Sequence, residues 1–398
     1  MESKTRIKGN VHYVGVNDRN KHRFEAMWPL PYGVSYNSYL IDDEMVALID
    51  TVDICYFEVY LRKIKQVIGE RPINYLIINH MEPDHSGSIR LIKQHYPEII
   101  IVGNKQTFGM IEGFYGVTGE QYLVKEGDFL ALGHHKLRFY MTPMVHWPET
   151  MMTFDETDGV LFSGDGFGCF GTVDGGFLDT RINVDKYWGE MVRYYSNIVG
   201  KYGSPVQKAL QKLGGLPISA ICSTHGPVWT ENIAKVIGIY DRLSRYDADE
   251  GVVIAYGSMY GNTEQMAEAI AEELSAQGVK NIVMHNVTKS HPSYIIADIF
   301  RYKGLIIGSP TYSNQIFPEV EALLSKILLR EVKGRYLGCF GSFAWAGAAV
   351  KRLAEFAEKS KFELVGDPVE MKQAMKDLTY TQCENLARAM ADRLKKDR

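Results

Sequence analysis

Between two apolar stretches the chain reads His80-Met-Glu-Pro-Asp-His85-Ser-Gly, which places two imidazoles and two carboxylates within six residues. Such side chains are seldom fully buried without a partner, yet they directly follow the strand-like run Tyr75-Leu-Ile-Ile-Asn79. Packing does not account for them; ligation does. Pro83 keeps the segment out of a helix interior, so a loop is expected, with Glu82 and Asp84 facing neighbouring positions around one or two ions. Comparable residues close other apolar runs: His146 after Met141-Thr-Pro-Met-Val, Asp165 after Leu161-Phe-Ser-Gly, and His225 after Ile221-Cys-Ser-Thr. An imidazole and carboxylate set without thiolate suits iron, manganese or zinc, and disfavours copper(I) or an iron–sulfur cluster. Two ions would need a bridging carboxylate, and Asp165, alone on its loop, is the candidate. Cys222 lies within an apolar run and reads as a core cysteine. A solitary histidine is more often a satisfied core or surface residue, so His12, His22, His95, His134, His135, His285 and His291 receive no functional reading.

A second chemistry is written in three loops of the C-terminal part. Ser258-Met-Tyr-Gly-Asn-Thr263 lies between the run Val252-Val-Ile-Ala-Tyr256 and a helix expected from Thr263 to about Gln277. Backbone amides in a turn, hydroxyls at its ends and a helix N-terminus together favour a phosphate. Gly261 alone could serve only a tight turn. Two further loops, Ser309-Pro-Thr-Tyr-Ser-Asn314 and Ser342-Phe-Ala-Trp-Ala-Gly347, also follow apolar runs, where doubly wound folds bind ligands. The candidate contacts are Ser258, Met259, Tyr260, Gly261, Asn262, Thr263, Ser309, Pro310, Thr311, Tyr312, Asn314, Ser342, Phe343, Ala344, Trp345 and Gly347. Trp345 offers a face to a flat ring system; its alternative role is a hydrophobic plug. No Gly-x-Gly-x-x-Gly or Walker loop is present, so NAD and ATP are poorly supported. The monophosphate flavin FMN fits best.

These loops need rigid elements behind them. Residues 1–248 read as short strands and occasional helices, with strands at Val46–Asp50, Tyr75–Asn79, Ile99–Val102, Leu137–Tyr140 and Gly159–Ser163. Helical spacing appears at Cys55–Gly69, Ser88–His95 and Val184–Lys201. From residue 249 the pattern becomes strand–loop–helix alternation, with helices expected at about 318–329, 347–359 and 381–396. Five strands with crossover helices make a doubly wound parallel sheet. The boundary falls in the polar stretch Ser244–Gly251.

The composition excludes several classes. With 398 residues, 45% hydrophobic and 23% charged, the chain is neither disordered nor fibrous. A net charge of −4 announces no nucleic-acid or anionic-membrane partner, and no apolar run reaches the ~18 residues of a membrane span. The N-terminus lacks the apolar region of a secretory signal. Five scattered cysteines without a Cys-x-x-Cys pair exclude a disulfide scaffold or rubredoxin-type module in these residues. A cytoplasmic location is expected.

The pattern around His80 resembles the metallo-β-lactamase superfamily signature His-x-His-x-Asp-His, with Glu82 in place of the second histidine. That substitution, the segment His146-Trp-Pro-Glu149 and the flavodoxin-like loops together resemble the flavodiiron proteins over essentially the whole chain. The resemblance implies a metallo-β-lactamase-like αββα domain followed by a flavodoxin-like domain. It implies that His80, Glu82 and His146 bind one iron, that Asp84, His85 and His225 bind the other, and that Asp165 bridges. In some members the histidine matching His85 turns away from the metal. Tyr194 and Tyr195 match a region lining the family's diiron pocket, where either could donate a hydrogen bond or simply pack. Glu25 falls where some members carry a histidine, which leaves the preference between substrates open. By resemblance, the activity is reduction of dioxygen to water, of nitric oxide to nitrous oxide, or both. FMN and two irons would be the cofactors, in a head-to-tail homodimer or a tetramer. Electrons would come from an external donor, a rubredoxin-like protein or a reduced deazaflavin. Two alternatives are a zinc-dependent hydrolase of the lactamase fold with a flavodoxin-like binding domain, and a flavodoxin-type carrier whose N-terminal half is not catalytic.

Overall fold

Strands that are apolar at every position, such as Tyr39-Leu-Ile, Ala47-Leu-Ile and Val160-Leu-Phe, bury both faces and must therefore lie between layers. In the computed structural model, which describes residues 4–397, they do so in two sheets. One runs in the order Arg6–Lys8, Val11–Tyr13, Tyr39–Ile41, Ala47–Ile49, Tyr75–Ile77, Ile100–Gly103, Gln121–Leu123; the other in the order Phe129–Ala131, Lys136–Met141, Met151–Asp155, Val160–Gly164, Ala220–Ser223. Alternate residues of both, including Tyr39, Ile49, Ile77, Val102, Phe139, Met151 and Phe162, share one core. The sheets thus face each other, as an αββα sandwich requires.

Register fixes where the chemistry emerges. Met141 pairs with Met151, Thr153 with Phe162 and Gly164 with Ser223. The loops carrying His146, Asp165 and His225 therefore leave the second sheet at one end. Gly226 has φ +82, and a Cβ there would lie 2.3 Å from the Cys169 sulfur, so glycine is needed for the turn that follows His225.

The second unit comprises Ser196–Lys201 and the chain from Arg245 onward; the first runs to Tyr195 and resumes over Tyr202–Ser244. Its sheet is parallel, in the order Ile282–Asn286, Asp249–Tyr256, Tyr302–Tyr312, Tyr336–Phe343, Glu363–Leu364. Val369–Lys372 also pairs with Tyr336–Phe343. The helices Asn262–Ala276 and Asp377–Lys395 cover one face through Met266, Ile270, Leu274, Leu386 and Met390.

Several elements differ from the sequence reading. The segment after Glu82 is not wholly a loop: Pro83–Ser86 forms one helical turn with Pro83 in its first position, where the missing N–H costs nothing. The helix expected over Val184–Lys201 is α-helical only over Asp185–Tyr194, then widens into a π turn over Tyr195–Val199. Ile282–Asn286 is a half-buried edge strand, so its apolar pattern is weak. Helices Lys105–Tyr115, Gly203–Leu213, Ile233–Ser244 and Pro292–Arg301 were not apparent from spacing.

Candidate functional site

Asp165 is the hub of the first unit. Its Oδ2 lies 3.0 Å from His146 Nε2 and 3.7 Å from His80 Nε2. Its Oδ1 lies 3.2 Å from His85 Nε2 and 3.6 Å from His225 Nε2. Glu82 Oε2 completes the first group, 3.2 Å from His146 Nε2 and 3.7 Å from His80 Nε2. Asp84 completes the second, with Oδ1 3.6 Å from His85 Nε2 and Oδ2 3.4 Å from His225 Nε2. All seven sequence-derived ligand candidates are thus brought together in two sets of three, with one oxygen of Asp165 turned toward each. His85 points inward.

The donor set fits cations. His80 Nε2, both Asp84 oxygens, both His85 ring nitrogens and His225 Nε2 are buried without a hydrogen-bond partner. Leaving so many polar atoms unsatisfied is costly, and nitrogen and carboxylate oxygen atoms converging on common points are the ligands of iron, manganese or zinc. Without a cation, protons take that role. Burial alone would lower His85, but Asp84 and Asp165 raise it to about 10. Burial pushes Asp165 up, yet His85 and His146 hold it well below the usual carboxylate range.

The supporting residues are remote in sequence. His80 Nδ1 lies 2.7 Å from Glu149 Oε1 and His225 Nδ1 lies 2.7 Å from the Ser35 carbonyl. Asp50 accepts from the Asn79 amide at 2.8 Å and the His80 amide at 3.4 Å, and so holds the start of the motif. Asp50 has φ +51; nothing in its local sequence signals that role. Thr224 donates to Asp165 Oδ1.

The two tyrosines separate. Tyr194 is fully buried with its ring 5.8 Å from that of His225, and its hydroxyl has no hydrogen-bond partner. Tyr195 instead packs against Tyr240 at 5.0 Å. A cleft of about 510 Å³ opens onto Glu82 and Asp84, with Lys21, Glu25 and Tyr115 in its walls. Glu25 is anchored there by the Trp28 indole N–H at 2.9 Å. Two histidines outside the cluster have ordinary partners: His135 meets Asp155 at 3.0 Å, and His285 lies between Ser290 and Asp298. Cys222 is in the core, its thiol pushed well up by burial.

In the second unit the three loops line a cleft of about 510 Å³, within the size range of small-molecule sites. Met259, Tyr260, Asn262, Pro310, Thr311, Tyr312, Asn314, Ser342, Phe343, Ala344 and Trp345 line it, joined by Ser313, Ala346 and Gln373, which sequence reasoning missed. Tyr260 and Trp345 are 89% and 86% exposed, so Trp345 is not a hydrophobic plug. Gly261, at φ +89, starts the helix Asn262–Ala276. The Ser258 hydroxyl accepts the Gly261 amide at 3.1 Å, and the Thr263 and Ser342 hydroxyls meet at 2.8 Å. Ser258, Gly261 and Thr263 therefore shape the turn rather than line the cleft. Ser309 is buried and bonds within its own loop, and Gly347 lies against Glu370. A flat ring with a monophosphate fits this arrangement: exposed aromatic faces stand above, and a helix N-terminus begins at the turn.

A family model described as ODP family beta lactamase matches residues 34–226, and one described as flavodoxin matches residues 254–386. The anaerobic nitric oxide reductase flavorubredoxin of Vibrio vulnificus is 32% identical over 363 residues, covering 90% of this chain and 73% of that protein. Among solved structures, rubredoxin oxygen:oxidoreductase from Desulfovibrio gigas superposes with a TM-score of 0.93 at 31% identity, covering 97% of each chain. The flavodiiron protein of Giardia intestinalis gives 0.91 at 26% identity, covering 98% of this chain and 97% of that one.

Proposed function

Because the chain belongs to the flavodiiron proteins, oxidoreductases that carry FMN and a non-haem diiron centre, we propose that it reduces dioxygen to water, nitric oxide to nitrous oxide, or both. The observation that carries this reading is the pair of ligand sets on either side of Asp165, with six buried polar atoms of His80, Asp84, His85 and His225 left unpartnered. His80, Glu82 and His146 would hold one iron, Asp84, His85 and His225 the other, and Asp165 would bridge. When bound, FMN takes up two electrons and releases them singly while two ferrous irons hold two more, matching the four that dioxygen needs and exceeding the two for a pair of nitric oxide molecules.

The chain's own residues do the rest. Glu82 and Asp84 face the open cleft, so a small substrate reaches the cluster there. Tyr194, buried beside His225, can hold a hydrogen bond to a substrate oxygen, and its own proton is secured because burial raises its pKa well above the usual value. Tyr260 and Trp345 would cover the flavin ring, and the Gly261 turn would take its phosphate. Electrons would come from an external donor, a rubredoxin-like protein or a reduced deazaflavin. A head-to-tail pairing of chains brings the flavin cleft of one protomer to the irons of its partner. Among the described residues no helix is long and apolar enough to cross a membrane; a cytoplasmic location is part of the proposal.

The test is anaerobic reduction of the iron- and FMN-loaded protein followed by stopped-flow mixing with dioxygen and with nitric oxide separately. Rapid reoxidation by at least one is expected. Stoichiometric zinc with no iron in the purified protein, or no reoxidation by either gas, would overturn the reading.

A further inference from the structure

An imidazole that binds a metal through Nε2 is tuned by whatever Nδ1 meets, and here the two halves of the cluster differ. His80 Nδ1 lies 2.7 Å from Glu149 Oε1, which also accepts the Met81 amide at 2.9 Å. Both side chains are fully buried, and Glu149 Oε2 has no hydrogen-bond partner. Among the described residues His80 is thus the one side chain that hydrogen-bonds this carboxylate, beside the backbone amides of Met81 and Glu149 itself. In the other half, His225 Nδ1 meets only the neutral Ser35 carbonyl at 2.7 Å, and His85 Nδ1 meets no partner.

We infer that Glu149 is a positioning residue that makes the two metal positions unequal: its charge, acting through His80, makes the ion in the His80, Glu82 and His146 set the more tightly held and the harder to reduce. A carboxylate that accepts the Nδ1 proton strengthens Nε2 as a donor, and a stronger donor favours the ferric over the ferrous ion. The two ligand sets match in number, each having two histidines, one carboxylate and a share of Asp165, and the Thr224 hydroxyl that donates to the Asp165 oxygen facing His85 and His225 weakens that donor in the same sense. Glu149 also fixes the ring: accepting from both His80 and the Met81 amide holds the imidazole in the orientation that aims Nε2 at the cluster. This inference rests on the ligand assignment proposed above.

The test uses the full chain loaded with iron and FMN. Glu149→Gln keeps an oxygen for both hydrogen bonds and removes the charge, whereas Glu149→Asp keeps the charge. In a reductive titration followed by electron paramagnetic resonance, the two iron steps of Glu149→Gln should move together. An approximately tenfold smaller comproportionation constant is expected, or about 59 mV for a one-electron step. Glu149→Asp should retain more of the gap. In a ferrous ion titration against a competing chelator, one of the two sites in Glu149→Gln should weaken by about 10–100-fold, with the other site and the flavin spectrum unchanged. An unchanged gap, or equal weakening of both sites, would overturn the inference. Should Glu149→Gln fail to fold, Mössbauer spectra of the half-reduced wild type decide: separate ferric and ferrous sites support it, and one averaged site overturns it. Wild-type protein binding fewer than two irons would instead overturn the ligand assignment itself.

Discussion

Replacing Asp165 by Asn separates a bridging role from a merely structural one. The two carboxylate oxygens face opposite sets of nitrogens, at 3.0 and 3.7 Å on one side and 3.2 and 3.6 Å on the other. An amide has one oxygen and one NH₂ group, so it can serve one set but turns a donor toward the other. Iron content should therefore fall from two per chain to no more than one, while FMN remains bound. The metal-free protein should suffer as well. His85 is protonated at pH 7, since Asp84 and Asp165 outweigh burial and raise it to about 10. Removing one member of a buried charge pair costs about 3–5 kcal/mol. For a unit of this size that lowers Tm by roughly 6–20 °C. The loss should shrink as pH approaches about 10 and His85 becomes neutral in either protein. Iron assay, flavin absorbance and differential scanning calorimetry on the two proteins measure each part. If Asp165→Asn retained two irons and wild-type Tm at pH 7, the bridging geometry and the charge argument would both fail.

Three further outcomes follow from the structure. Combining Ser258→Ala with Thr263→Val removes the hydroxyls that brace the Gly261 turn and Ser342. At about 0.5–1.5 kcal/mol for each hydrogen bond lost, FMN should bind roughly 5–150-fold more weakly with iron content unchanged; equal flavin affinity by fluorescence titration would remove this turn from the site. Metal uptake at pH 7 should release protons, because the proton on His85 must leave before its nitrogen can ligate. Calorimetry in buffers of different ionisation enthalpy detects that release, and apparent affinity should rise with pH until about 10. The sign is opposite for stability without metal. His85, raised from 6.5, contributes fully below pH 6.5 and loses its contribution as pH rises through about 10. Glu82, held down to about 2 because His146 and His80 outweigh burial, contributes above its ordinary 4.5 and loses that as pH falls through about 2. Metal-free Tm should accordingly peak between about pH 4.5 and 6.5.

How much of this was legible in the sequence depends on how local each feature is. His80, Glu82, Asp84 and His85 form one short run, and His146, Asp165 and His225 each close an apolar strand, so residue type and position sufficed to pick out the side chains that the fold brings together. The parallel sheet of the second unit was legible because its central strands are continuous apolar runs, whereas the edge strand Ile282–Asn286 is half-buried and lacks that pattern. The single turn Pro83–Ser86 was hidden because proline excludes a helix interior but not a helix start. In the flavin loops the residue types were legible and their orientation was not. Thr311 caps the helix Ala349–Ser360, accepting the Ala348 and Ala349 amides at 3.0 and 3.2 Å, which only the fold brings about.

The groups around the ligands were illegible for a deeper reason. Glu149 lies 69 residues from His80, Ser35 lies 190 from His225, and Asp50 lies 29 from Asn79. In their own sequence context Ser35 and Asp50 look like ordinary strand or loop residues, and Glu149, although it closes the segment His146-Trp-Pro-Glu149, shows nothing there of its contact with His80. Their roles exist only because Met141 pairs with Met151 and Ile49 with Ile77, which sets the loop containing Glu149 and the strand end at Asp50 beside the His80 motif. A chain that kept all seven candidate ligands but changed Glu149 would carry the same sequence signature and the same choice of metal, while the two metal positions proposed here would be tuned differently. Ligand type selects the metal and is written locally; the balance between the two metal positions is set by strand register and is written across the fold.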